Sequence, residues 1–138
     1  MKQLFINLPV KNLEPSMHFY TQLGFTNYPL FTDDSQKCVV WGEQIYVMLQ
    51  SHEMFLSNTE KTVPDTQHYV TAKFTLPLES LDMLNKIMEK GLQAGGIEPL
   101  PMQDEGFIQI RSLEDLDGHR WDIIYLDIEK FKELKTAQ

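Results

Sequence analysis

The residues able to do chemistry are few and scattered. Four histidines stand in the chain, His18, His52, His68 and His119. No two share the i,i+2 or i,i+4 spacing that puts two imidazoles on one strand or helix face for a metal ion. His18 falls in a helical stretch, His52 and His68 flank a polar connector, and His119 sits beside an Asp-Gly turn, so each reads as an ordinary surface or turn residue. Cys38 is the single cysteine, which excludes an intramolecular disulfide. Within Cys38-Val39-Val40-Trp41 it reads as a core thiol with no neighbour to activate it. There is no Gly-rich phosphate loop, no Gly-x-Ser-x-Gly elbow and no zinc-finger spacing, and Gly95-Gly96 reads as a helix stop. Among the charged residues in strand-like stretches, Lys73, Arg111 and Asp122 are the candidates. A carboxylate there can act as a general base, and an ammonium can receive an anionic or carbonyl group. The fork of Arg111 can hold a carboxylate or phosphate. The plain structural counterparts are an ion pair between Lys73 and Asp122, and an acid such as Glu114 or Asp115 beside Arg111.

The elements that must position these groups are those of an ordinary globular chain. The sequence has 138 residues, 42% hydrophobic and 23% charged, with 8 Phe, 5 Tyr and 2 Trp. That is enough for one unit with a real core, and it argues against disorder. The net charge of −8, spread along the chain, disfavours nucleic acid as a partner and serves solubility. No signal peptide is visible, and no apolar run approaches the roughly 20 residues of a membrane span, so a reducing cytoplasm is expected.

Leu4, Ile6, Leu8 and Val10 alternate with Phe5, Asn7 and Pro9, which predicts a strand. Asn12 can cap a helix carrying Leu13, Met17, Tyr20 and Leu23, which Gly24 stops. Extended stretches are predicted at 25–31, 37–41 and 44–50. Residues 51–67 form the connector, with a helical turn near 54–56. The order then repeats. Ala72, Phe74 and Leu76 alternate, Ser80 caps an amphipathic helix with Leu81, Leu84, Ile87, Met88 and Leu92, and Gly95-Gly96 ends it. Extended stretches follow at 97–102, 107–111 and 120–126, then a helix at about 128–135.

Leu8-Pro9-Val10 and Leu76-Pro77-Leu78 each end a strand and precede a helix that stops at glycine. The matching order around them predicts two copies of one βαβββ module: module one at about 1–50, module two at about 68–127, in a single domain. A single ferredoxin-like sandwich shares part of this order and is the alternative.

Two motifs carry a family resemblance. One is Leu8-Pro9-Val10-Lys11-Asn12-Leu13 with Ser16-Met17-His18-Phe19-Tyr20-Thr21-Gln22-Leu23-Gly24-Phe25. The other is Asp115-Leu116-Asp117-Gly118-His119-Arg120-Trp121-Asp122. Together they resemble the vicinal oxygen chelate superfamily, the glyoxalase I, bleomycin-resistance and extradiol-dioxygenase group, over about residues 3–127. The resemblance implies an α+β fold in which two βαβββ modules in tandem form a half-open, cup-shaped sheet.

The resemblance also implies where a divalent metal would be held in metal-dependent relatives: on the first and last strands of each module. Carried over by motif, those positions are Phe5, Met48, Lys73 and Asp122. Only Asp122 is a good ligand, so no metal site is expected and a divalent cofactor is disfavoured. Strand alternation places Phe5, Asn7, Tyr46, Met48, Thr71, Lys73, Gln109, Arg111, Asp122 and Ile124 toward the cup. Of these, Phe5, Asn7, Tyr46, Met48, Lys73, Gln109, Arg111 and Asp122 are the expected ligand-binding residues, with Asp122 the candidate general base. Trp41 and Trp121 are open to either a pocket wall or the core. The implied function is metal-free binding of a small molecule, as in bleomycin resistance, by a homodimer. The alternatives are a metal-dependent lyase or dioxygenase of the glyoxalase kind, and a dimerising domain whose cup its own side chains fill.

Overall fold

The first alternating stretch forms β1 (Leu4–Pro9), and the helix predicted after it is α1 (Leu13–Leu23). Gly24 ends α1 at φ 109°, a left-handed conformation that glycine adopts without steric cost. Next come β2 (Thr26–Asn27), β3 (Gln36–Trp41), β4 (Ile45–Gln50) and the short α2 (His52–Leu56). The second series is β5 (Lys73–Leu78), α3 (Leu81–Gln93), β6 (Gln103–Asp104), β7 (Ile108–Glu114), β8 (Arg120–Leu126) and α4 (Ile128–Thr136). The Ser80 side chain accepts from the Met83 N–H at the start of α3, a cap that contributes about 1 kcal/mol. These elements come from a computed structural model that describes residues 1–137.

Two expected strands are mostly something else. In 25–31 only Thr26–Asn27 is extended, and Pro29–Phe31 is a 3₁₀ turn. Proline at its first position presets the backbone dihedral for that turn. The stretch 97–102 is not a strand either. Ile97 makes one bridge to Glu114, and pairing resumes only at Gln103–Asp104. Pro99 and Pro101 have no N–H to give to a ladder.

The two series form two four-stranded sheets, ordered β1-β4-β3-β2 and β5-β8-β7-β6. In each, the first strand runs parallel to the last and the other pairs are antiparallel. The tandem βαβββ repeat is therefore present as two similar modules, and the fold is α+β with open sheets. The chain divides into two compact units. One holds Met1–Tyr69 together with Leu116–Gly118; the other holds Val70–Asp115 and the chain from His119 onward.

In the first unit α1 covers one sheet face. Val39, Val47 and Leu49 are fully buried with Phe19 and Tyr20 of the helix. The Lys37 ammonium reaches Glu14 of α1 at 3.0 Å, which fixes the odd-numbered positions of β3 toward the helix. Trp41 belongs to the same face and packs on Phe25. In the second unit α3 buries Leu84 and Met88, and the sheet contributes Leu113, Trp121 and Ile123. Trp121 packs on Phe74, so both tryptophans lie on the helix sides of their sheets, Trp121 buried in the core and Trp41 half-buried. Among the described residues no helix is long and apolar enough to cross a membrane.

Candidate functional site

Each unit leaves the sheet face away from its helix uncovered by that helix, and in the second unit a hollow of about 590 Å³ also lies on the helix side, lined by Leu81, Asn85, Glu98 and Arg111 among others. In the first unit the uncovered face is set by the register. Phe5 pairs with Tyr46 and Asn7 with Met48 across the parallel ladder, while Cys38 and Val40 oppose Met48 and Tyr46 across the antiparallel one. The expected residues Phe5, Asn7, Tyr46 and Met48 therefore share one face. They do not leave it bare. Cys38, Val40, Tyr46 and Met48 form a buried cluster with Tyr28 packed against it. Phe5 stacks on Tyr46 with centroids 4.4 Å apart, and Phe31 of the 3₁₀ turn meets Phe5 edge-on at 5.9 Å. Burial pushes the Cys38 thiol up to about 11, as expected for a thiolate denied solvent.

Beside this aromatic cluster lies a hollow of about 420 Å³ under α2. Asn7 and Gln50 line its sheet side, Met54 and Phe55 its helix side, and Lys61 and Thr62 belong to its rim. The Gln50 amide donates to Gln36 Oε1 at 3.0 Å, which orients the Gln50 carbonyl oxygen. The Ser51 hydroxyl accepts from the Met54 N–H and starts α2, which carries the apolar wall. Gln50 and Lys61 were not among the expected site residues. Gln50 was legible, because it stands two residues beyond Met48 on the same strand face. Lys61 had no signal, since it sits in an irregular connector.

In the second unit the register places Lys73 opposite Arg120 and Thr75 opposite Asp122. Asp122 pairs in turn with Ser112, whose hydroxyl donates to Asp122 Oδ1 at 2.9 Å. Lys73 and Asp122 thus share a face but are two positions out of step, and no ion pair joins them among the described residues. Arg120 was missed by the sequence reading, although its two-residue spacing from Asp122 puts it on the same face. Its guanidinium reaches Glu114 Oε2 at 3.5 Å.

Gln109 and Arg111 require a correction. They lie opposite Tyr125 and Ile123, on the side covered by α3. The Arg111 guanidinium is bidentate to Glu98 at 2.7 and 2.8 Å and donates to Asn85 of α3 at 3.0 Å. The hydrogen bonds to Glu98 hold its pKa above the ordinary arginine value. The Gln109 amide donates to Asp104 at 2.9 Å. These two polar side chains are satisfied inside the structure, while Ile108 and Ile110, alternating with them, take the open face. The partner expected for Arg111 was Glu114 or Asp115; it is Glu98.

The four positions carried over for a metal do not fit one. A phenyl ring offers no donor, a thioether is soft and weak, and an ammonium repels a cation; the one carboxylate is engaged by Ser112. Among the described residues no three or more His, Cys, Asp or Glu side chains gather where they could hold an ion. His18, His52 and His68 are exposed, and His68 bonds Asp65 at 2.6 Å.

The second motif has a structural role. The Lys11 N–H donates to Asp117 Oδ1 at 2.8 Å, and Gln67 donates to the Leu116 carbonyl at 3.0 Å. Gly118, at φ 88°, lies so close to Thr66 that a Cβ would fall 2.2 Å from its carbonyl oxygen.

No family model matches the chain. No curated protein matches it either. Solved structures do. A hypothetical protein from S. aureus superposes with a TM-score of 0.77 at 23% identity, covering 91% of this chain and 94% of that one. A glyoxalase/bleomycin resistance protein/dioxygenase family enzyme from Burkholderia phytofirmans gives 0.75 at 14% identity, covering 91% and 99%. A glyoxalase-related enzyme from Fulvimarina pelagi gives 0.75 at 17%, covering 91% and 88%. The fold is that of the glyoxalase/bleomycin resistance/dioxygenase proteins among these structures. At these identities the likeness is one of fold, and function has to be argued from the side chains.

Proposed function

We propose that the protein binds a small organic molecule on the open face of its first sheet, without a metal ion. The observation that carries this is the hollow of about 420 Å³ under α2, where Asn7 and Gln50 face the apolar Met54 and Phe55. An apolar wall of Met54, Phe55 and Leu56 set against amides and hydroxyls suits an amphipathic ligand bearing a carbonyl or hydroxyl group. The donor chemistry at Phe5, Met48, Lys73 and Asp122 supports metal-free binding, and sequestration of a toxic compound is one form it takes. The expected assembly is a cytoplasmic homodimer, which light scattering on the purified chain checks as twice the chain mass.

The test is a thermal-shift screen of small aromatic and amphipathic molecules against the full chain. Elemental mass spectrometry runs alongside, before and after incubation with Ni, Zn, Mn and Fe(II), with Asp122→Ala as control. A ligand that binds only the folded state raises the melting temperature, and that rise shrinks in Asn7→Leu and Gln50→Leu. Less than stoichiometric metal is retained. A stoichiometric ion that Asp122→Ala loses would overturn the metal-free reading and return Asp122 to a catalytic role. Ligands whose shifts ignore both amide substitutions would overturn the choice of hollow.

A further inference from the structure

The second unit carries a polar arrangement that the first lacks. Lys73 and Arg120 stand opposite each other across the parallel β5–β8 ladder, so their side chains leave the sheet on the same face. Two like charges in directly opposed positions destabilise a sheet unless something lies between or beside them. The counter-charges on this face are Glu114 and Asp122. Glu114 touches Arg120 only at 3.5 Å, through a terminal guanidinium nitrogen. Asp122 takes the Ser112 hydroxyl and makes no ion pair with either cation among the described residues. Lys73 is exposed and joins no ion pair there. The Arg120 Nε is buried and has no hydrogen-bond partner. A buried donor left unmet is unfavourable, and more so when it is charged. Next to these groups is a hollow of about 360 Å³, lined by Val70, Thr71 and Ala72 with Lys73 and Arg120 themselves.

We infer that this hollow is a binding site for the oxyanion group of a small molecule, a carboxylate or a phosphate, held between Lys73 and Arg120. The ammonium supplies a mobile point charge and the guanidinium supplies directed N–H groups. The Val70 and Ala72 side of the hollow takes a short apolar portion of the same molecule, so a small organic acid fits better than a bare ion. The hollow shares no lining residue with the one under α2, and neither proposal depends on the other.

The experiment is a titration of the ¹⁵N-labelled full chain, followed by amide shifts, with benzoate, inorganic phosphate, the neutral analogue benzamide, and sodium chloride at matching concentration. Benzoate or phosphate is expected to shift residues 70–73 and 120 saturably, with a dissociation constant of about 1 mM or tighter. Saturation by benzoate assigns a carboxylate, and by phosphate alone a phosphate. Benzamide and chloride are expected to leave these residues unmoved. Lys73→Met changes an exposed side chain and keeps the fold. It is expected to weaken binding about tenfold or more, and Arg120→Lys to weaken it while preserving charge. Full affinity in Lys73→Met overturns the site. So does an equal response to sodium chloride, or the absence of a saturable shift with either oxyanion.

Discussion

Phe5 lies flat on Tyr46, their ring centroids 4.4 Å apart and their planes within 9° of parallel. Phe5 is at the position where the resemblance carries over a metal ligand of the first strand. An aromatic stack, with Phe31 edge-on to it, therefore stands where a donor would be needed. This end of the first sheet's open face is occupied by the protein's own side chains. The hollow under α2 begins beyond the stack, at Asn7.

Phe5→Ala is expected to cost about 1–2 kcal/mol, the worth of two ring contacts at a partly exposed position. Chemical denaturation checks this. A cost near zero would mean that the stack does not organise the face. Phe5→Leu keeps the apolar surface without the stacking and should fall in between.

The Asp117 carboxylate accepts the Lys11 N–H at 2.8 Å. Asp117→Ala is expected to lose about 1–3 kcal/mol by leaving a backbone donor without its partner. Gly118→Ala should be worse, about 3 kcal/mol or more. It adds a Cβ 2.2 Å from the Thr66 carbonyl oxygen at a positive φ. Melting curves of the two variants give the order, and equal stability of Gly118→Ala and the parent would contradict the contact.

Arg111 holds Glu98 and Asn85 on the helix side of the second sheet. Arg111→Met is expected to destabilise the chain by about 2 kcal/mol, since it leaves the Glu98 carboxylate unpaired. It should leave ligand affinity unchanged. Affinity lost in proportion to a ligand's negative charge would return Arg111 to the binding residues.

Cys38 is fully buried, and its pKa rises from 9.0 to about 11. At pH 8 its reaction with an aromatic disulfide reagent is expected to be at least about a hundredfold slower in the folded chain than in denaturant, from the thiolate fraction alone. Because the folded value is the higher one, the stability that the neutral thiol contributes is complete below pH 9. It is lost as the pH rises through about 11. Cys38→Ala should flatten that alkaline decline, which melting temperatures measured across the range would show.

The sequence by itself determined the order of elements, because each depends on neighbours within a few residues. The alternation of Leu4 to Leu8, the cap at Ser80 and the stop at Gly24 are local and additive, and the Leu-Pro echo doubled the pattern. Local signals also erred where proline intervened, at Pro29 and at Pro99 and Pro101, since these residues forbid a ladder that the surrounding apolar residues suggest. Only tertiary structure decided which face of β7 looks outward. Ile108-Gln109-Ile110-Arg111 reads as polar-out, yet the pairing of Glu114 with Arg120 turns Gln109 and Arg111 to the face that α3 covers. Strand register is set by the turn, and one residue of offset exchanges the two faces. The polar pair is tolerated inside because Asp104, Glu98 and Asn85 satisfy it. None of these three partners can be chosen from sequence, because each comes from a segment that folding, not chain order, brings alongside.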